Sequence, residues 1–129
     1  MSGQPILVVE DNPANAALIS FVLSSSGYDV RLAADAQEAM AILDAFQPLL
    51  IMMDLQLPGM DGLELTRHLK RDEKTRAIVV IALTAYAMKG DEQRAREAGC
   101  DDYITKPIDT RALPDVISAH LKRIESRMP

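Results

Sequence analysis

The stretch Leu49-Leu50-Ile51-Met52-Met53-Asp54-Leu55-Gln56-Leu57-Pro58-Gly59-Met60-Asp61-Gly62 decides the fold. Five apolar residues in a row suit a strand buried on both faces of a sheet. Asp54 stands where that packing stops. Pro58-Gly59 and Asp61-Gly62 then force the chain to turn. Taken alone, Asp54 reads first as a cap for that turn. Whether it is a reactive group depends on what the rest of the chain brings beside it.

Upstream, Ile6 to Val9 is a short apolar run ending in Glu10-Asp11. Asn12-Pro13 opens a helix, since Asn caps well and Pro suits the first helical position. Leu18, Ile19, Val22 and Leu23 recur at helical spacing, and Gly27 is the expected left-handed C-cap. Tyr28 to Ala33 makes a second strand. Asp35, with Glu38 three residues on, opens a second helix with Ala36, Ala39, Met40 and Leu43 on one face.

Downstream, Asp61-Gly62 leads into a third helix. Leu65 and Leu69 are expected inward, and His68, Lys70 and Arg71 outward. Ala77 to Leu83 is the most β-branched segment and ends at Thr84. Met88 to Ala98 is a charged helix with few large apolar residues, so little burial holds it in place. Asp102 to Thr105 is a fifth strand, followed by Lys106-Pro107. Asp109 or Thr110 caps a last helix with a stripe of Leu113, Val116, Ile117, Leu121 and Ile124.

Strand then helix, five times over, means an α/β domain: a parallel sheet with helices on both faces. The 129 residues are read as one domain, 1–129, with an aliphatic core: hydrophobic content is 48% and aromatic content 4%. The net charge of −5 argues against direct nucleic-acid binding, which needs a basic face. No run is long enough to span a membrane, and the N-terminus lacks the regions of a signal peptide, so a cytoplasmic protein is expected. The single cysteine, Cys100, excludes an intrachain disulfide and reads as a buried structural thiol.

The polar residues collect at one rim. The first strand ends at Glu10-Asp11, the third at Asp54 and the fourth at Thr84; Lys106 follows the fifth. In an open parallel sheet the strand C-termini share the rim where ligands bind. Three crowded carboxylates repel one another and call for a cation, with Mg²⁺ the natural candidate among small divalent ions. Asp54 could then attack phosphorus. Lys106 would hold a phosphoryl oxygen, and the Thr84 hydroxyl would reach another.

The motifs Val8-Val9-Glu10-Asp11-Asn12, Met53-Asp54 through Gly62, Leu83-Thr84-Ala85 and Lys106-Pro107 resemble, in order, those of response regulator receiver domains of two-component signalling. The likeness covers essentially the whole chain. The stretch from Thr84 to Glu92 is similar to stand-alone cell-division regulators of that family and to receivers fused to hybrid kinases. The resemblance implies a (βα)5 flavodoxin-like fold with strand order 2-1-3-4-5. It makes Asp54 the phosphoacceptor. Asp11 would ligate Mg²⁺ directly, Glu10 mainly through water, and Gln56 through its backbone carbonyl, the Gln56 side chain influencing dephosphorylation. Thr84 and Lys106 would contact the phosphoryl group, Tyr103 would change rotamer when the Thr84 hydroxyl moves, and the Lys106–Pro107 bond would be cis.

The implied protein is a phospho-accepting switch rather than a turnover enzyme, with no effector domain attached. Its donor is a histidine kinase or a histidine phosphotransfer protein. Its output is binding of a downstream target protein through the face of the fourth helix, fifth strand and fifth helix, with a phosphorylation-dependent homodimer also allowed. His68 and His120 are expected as surface or half-packed residues, not phosphorelay histidines. Two other readings use similar parts. A haloacid-dehalogenase-type phosphatase needs an aspartate where Gln56 stands, and a flavodoxin needs a hydroxyl- and glycine-rich loop where Glu10-Asp11-Asn12-Pro13 stands.

Overall fold

The computed structural model describes residues 3–57, 59–84 and 90–127, the side chains of Asp91 and Arg127 excepted. Pro58, residues 85–89 and the start of the expected Met88–Ala98 helix lie outside the described residues. Five strands alternate with five helices: β1 (Pro5–Val9), α1 (Pro13–Ser25), β2 (Asp29–Ala33), α2 (Ala36–Leu43), β3 (Leu50–Asp54), α3 (Gly62–Arg71), β4 (Val79–Thr84), α4 (Asp91–Ala98), β5 (Asp102–Thr105) and α5 (Leu113–Arg127). All strands are parallel, in the order β2-β1-β3-β4-β5.

Side-chain alternation sorts the core into two layers. Leu7, Val9, Ile51, Met53, Val80 and Ala82 pack against α2, α3 and α4. Ile6, Val8, Leu50, Met52, Ile81 and Leu83 pack against α1 and α5. Every residue of β3 and β4 is buried, as their unbroken apolar sequences require. At the β2 edge the alternation of Tyr28, Val30 and Leu32 weakens, and Leu32 is exposed.

The helix starts follow their capping residues. Asn12, Asp35 and Asp61 accept from the backbone N–H three residues on. Glu38 closes its capping box one residue early, on the N–H of Ala34. Asp109 accepts from Arg111 and Ala112 and caps the turn that leads into α5.

The side chains of Lys70, His120 and Leu18 depart from expectation. Lys70 turns inward, and its Nζ donates to the Ile78 carbonyl at 2.6 Å and the Asp101 carboxylate at 3.1 Å. That ties the end of α3 to the start of β4. His120 is buried, only 6% exposed, and paired with Asp102. On α1, Leu18 and Phe21 face outward with 47% and 71% exposure.

Candidate functional site

Strand register builds the site. Val9 pairs with Met53, so Glu10 and Asp54 leave the sheet side by side. Asp54 itself pairs with Leu83, which sets Thr84 one residue beyond it. Thr84 pairs with Thr105, and Lys106 is the next residue on the neighbouring strand. Its backbone N–H donates to the Thr84 carbonyl at 2.7 Å. The Lys106–Pro107 peptide bond is cis.

Glu10, Asp11 and Asp54 each offer a carboxylate oxygen, and the three oxygens lie within 4.8 Å of one another. Glu10 and Asp54 are buried, Asp11 exposed. Lys106 Nζ reaches across to Glu10 Oε1 at 2.6 Å and Asp54 Oδ2 at 3.2 Å. The first contact lacks hydrogen-bond angles, so among the described residues the buried Oε1 of Glu10 accepts no hydrogen bond. The other Glu10 oxygen accepts from the N–H of Asn12. Since Asn12 caps α1, Glu10 and Asp11 are not consumed in capping it.

Asp54 retains part of its turn-capping character: its Oδ1 accepts from the Gln56 N–H at 2.9 Å. The cap of α3, however, is Asp61. Gly62 lets α3 start against the phosphoacceptor candidate's own backbone. A Cβ on Gly62 would overlap the Asp54 carbonyl oxygen and come within 2.8 Å of Leu55 Cα. The Gln56 side chain is exposed at the mouth. Thr84 is buried beside the acids, and Tyr103, half-buried on β5, packs in the layer that holds Ala95 and Cys100.

The electrostatics express crowding. Burial, then the neighbouring Glu10 carboxyl, pushes Asp54 up to about 7. Burial also acts to raise Glu10, but its contacts with Asp54, Lys106 and the Asn12 N–H outweigh that and hold it below the usual range. The crowded Glu10–Asp54 pair as a whole therefore holds a proton more readily than isolated carboxylates do. Lys106 loses to burial and gains more from the two acids, so it stays charged. Three converging hard oxygens, two of them buried, and a carboxyl raised by its neighbour are what a small divalent cation relieves. The residues present fit Mg²⁺.

Sequence reasoning placed the three acids, Thr84 and Lys106 at one rim, and register brings them there. It missed Gly62 as a contact to the Asp54 backbone, the inward Lys70 and the Asp102–His120 pair. For His120 a signal existed: residues 113, 116, 117, 120, 121 and 124 all fall on one helical stripe. Cys100 is buried as expected, and burial raises its thiol pKa.

Residues 6–118 match the family model of the response regulator receiver domain. The polar-differentiation response regulator DivK of Brucella ovis is 44% identical over 116 residues, covering 90% of this chain and 94% of that protein. The receiver domain of a sensor histidine kinase from Pseudomonas aeruginosa, solved with magnesium in its active-site cleft, is 38% identical with a TM-score of 0.85, covering 94% of this chain and 99% of that one. A CheY-like receiver domain protein from Methanospirillum hungatei gives 31% identity and a TM-score of 0.90, covering 98% and 100%. No helix among the described residues is long and apolar enough to cross a membrane.

Proposed function

Because this chain belongs to the response regulator receiver family, we propose that it is a phosphorylation switch that accepts a phosphoryl group on Asp54 from a protein histidine. The observation that carries this reading is Lys106 held 3.2 Å from a buried Asp54 inside a three-carboxylate cluster. An Asp54 oxygen attacks phosphorus in line. The P–N bond to the donor imidazole breaks, and the imidazole keeps the electron pair and takes a proton. Lys106, which here pairs with the acids, turns to a phosphoryl oxygen. The Thr84 hydroxyl donates to another, and Gly62 fixes the backbone from which Asp54 projects.

Glu10, Asp11, Asp54 and the Gln56 carbonyl would hold Mg²⁺. When bound, it neutralises the charge that keeps a carboxylate from attacking a phosphoryl group. The exposed Gln56 side chain would set how water reaches the acyl phosphate. Turnover is then limited to self-catalysed phosphorylation and dephosphorylation.

The donor must cover the mouth of the site. Lys106, Pro107 and Ile108 line a groove with Asn15, Leu18 and Ile19 of α1. Leu18 and Phe21 supply apolar surface beside it. A kinase or phosphotransfer-protein helix bearing the histidine fits there. Output runs through Thr84 and Tyr103 to the face of α4, β5 and α5, where a cytoplasmic target protein or a second phosphorylated copy would bind.

Incubation with acetyl phosphate and Mg²⁺, read by intact mass, tests the reading. The parent gains one phosphoryl group and Asp54→Asn gains none. Thr84→Ala is labelled but responds weakly at the output face. A parent that stays unlabelled, or steady turnover of small phosphate esters, overturns it.

A further inference from the structure

We propose that the Asp102–His120 pair is a positioning device that makes α5 follow β5 when the state of Asp54 changes; this rests on the switch reading above. Asp102 and Tyr103 are consecutive on an edge strand that, among the described residues, pairs only with β4. Their side chains point to opposite sheet faces. Tyr103 packs in the layer of α4, whereas Asp102 shares its parity with Ile104, which packs in the layer of α5.

Asp102 Oδ2 meets His120 Nε2 at 2.7 Å, and its Oδ1 accepts the Tyr103 N–H at 2.8 Å. One carboxylate is therefore bonded to the backbone of the proposed switch tyrosine and to a buried side chain of α5. Arg96 on α4 adds a favourable charge toward the same carboxylate. Elements β5 and α5 of the proposed output face meet at Asp102, and α4 contributes the charge of Arg96.

The rest of the α5 contact is non-directional. Leu113, Ile117 and Leu121 are buried against the sheet, and apolar packing of that kind tolerates small slides. A short bond between a carboxylate and an imidazole does not, because it weakens steeply with distance and angle. Position 120 lies on the apolar stripe, where a leucine would pack without desolvating a polar ring. Histidine there supplies direction rather than burial, and a displacement of Tyr103 reaches α5 through it.

The test measures α5 backbone amide shifts at Ile117 and Leu121 on adding Mg²⁺ and beryllofluoride, a phosphoryl mimic. The comparison covers the parent, His120→Leu, Asp102→Ala and His120→Gln, whose amide nitrogen can replace Nε2. In the parent both the Asp54 region and α5 respond. In His120→Leu and Asp102→Ala the Asp54 region responds as in the parent while the α5 response falls about threefold or more, the size of coupling that a positioning contact carries. His120→Gln restores most of it. Urea midpoints identify any variant that is merely unfolded. An α5 response equal to the parent's in both His120→Leu and Asp102→Ala overturns the proposal and leaves the switch reading standing. A parent whose Asp54 region does not respond overturns both.

Discussion

Helices α3 and α4 lie on the same face of one sheet and are built by opposite rules. Helix α3 begins at Asp61, whose carboxylate accepts from the Glu64 N–H at 2.8 Å, and ends in His68, Lys70 and Arg71, which suit the helix dipole. It buries Gly62, Leu65, Thr66 and Leu69, and Lys70 clamps its far end to the Ile78 carbonyl. Helix α4 begins at Gly90, left-handed at φ 96° and without a side-chain cap. Among its described side chains only Ala95 and Ala98 are buried. The helix that holds the Asp54 backbone is anchored at both ends; the helix on the proposed output face has a small footprint. A switch needs both, since the reacting group must stay put while another element responds.

The largest expected break is at Gly62. Gly62→Val drives a side chain into the Asp54 backbone and should cost about 3 kcal/mol or more in urea unfolding, with loss of Asp54 labelling. Gly90→Ala meets nothing within 4 Å, so only its left-handed backbone resists, and about 1 kcal/mol is expected. Next comes packing. Leu69→Ala should cost about 3 kcal/mol as a buried truncation, against about 1 kcal/mol for Ala95→Gly in α4.

Removing the cap with Asp61→Ala should cost about 1 kcal/mol and bring α3 amide exchange closer to that of α4, which is expected to exchange first in the parent. The smallest effect is on the output side. Burial raises the Asp102 carboxyl, but His120, the Tyr103 N–H and the charge of Arg96 outweigh it and hold it below the usual range. A depressed carboxyl stabilises the fold above its unfolded value and loses that contribution as pH falls through the folded value. Asp102 is partly exposed, so screening reduces the effect to about 0.5 kcal/mol. The parent should therefore lead Asp102→Asn at pH 7 and lose that lead as pH falls below the ordinary carboxylate range.

The layered fold was legible because β1, β3 and β4 are short apolar runs and α1, α2 and α3 each open on their own cap. Element ends were less legible: β4 starts at Val79 rather than Ala77, since Thr75 and Arg76 continue the turn that leaves α3. The rim of acids was legible because a parallel sheet puts all strand C-termini on one edge. What stayed hidden depends on reach rather than pattern. Lys70 looks like a surface lysine until the carbonyl of Ile78 comes within its arm, across a turn that spacing does not specify. His120 fits the apolar stripe by position, but its partner lies 18 residues earlier on another element. Glycine at 62 reads as a turn residue, and only the packed backbone reveals that no side chain fits there.

The claim on which the rest depends is that Asp54 is the group that takes the phosphoryl from a histidine. The direct measurement is transfer from a phosphorylated histidine phosphotransfer protein in the presence of Mg²⁺. Borohydride reduction then converts an aspartyl phosphate to homoserine, and peptide mass mapping locates it. Homoserine is expected at position 54, dependent on Mg²⁺ and absent in Asp54→Asn. Homoserine at another carboxylate, or phosphate that survives Asp54→Asn, would contradict it.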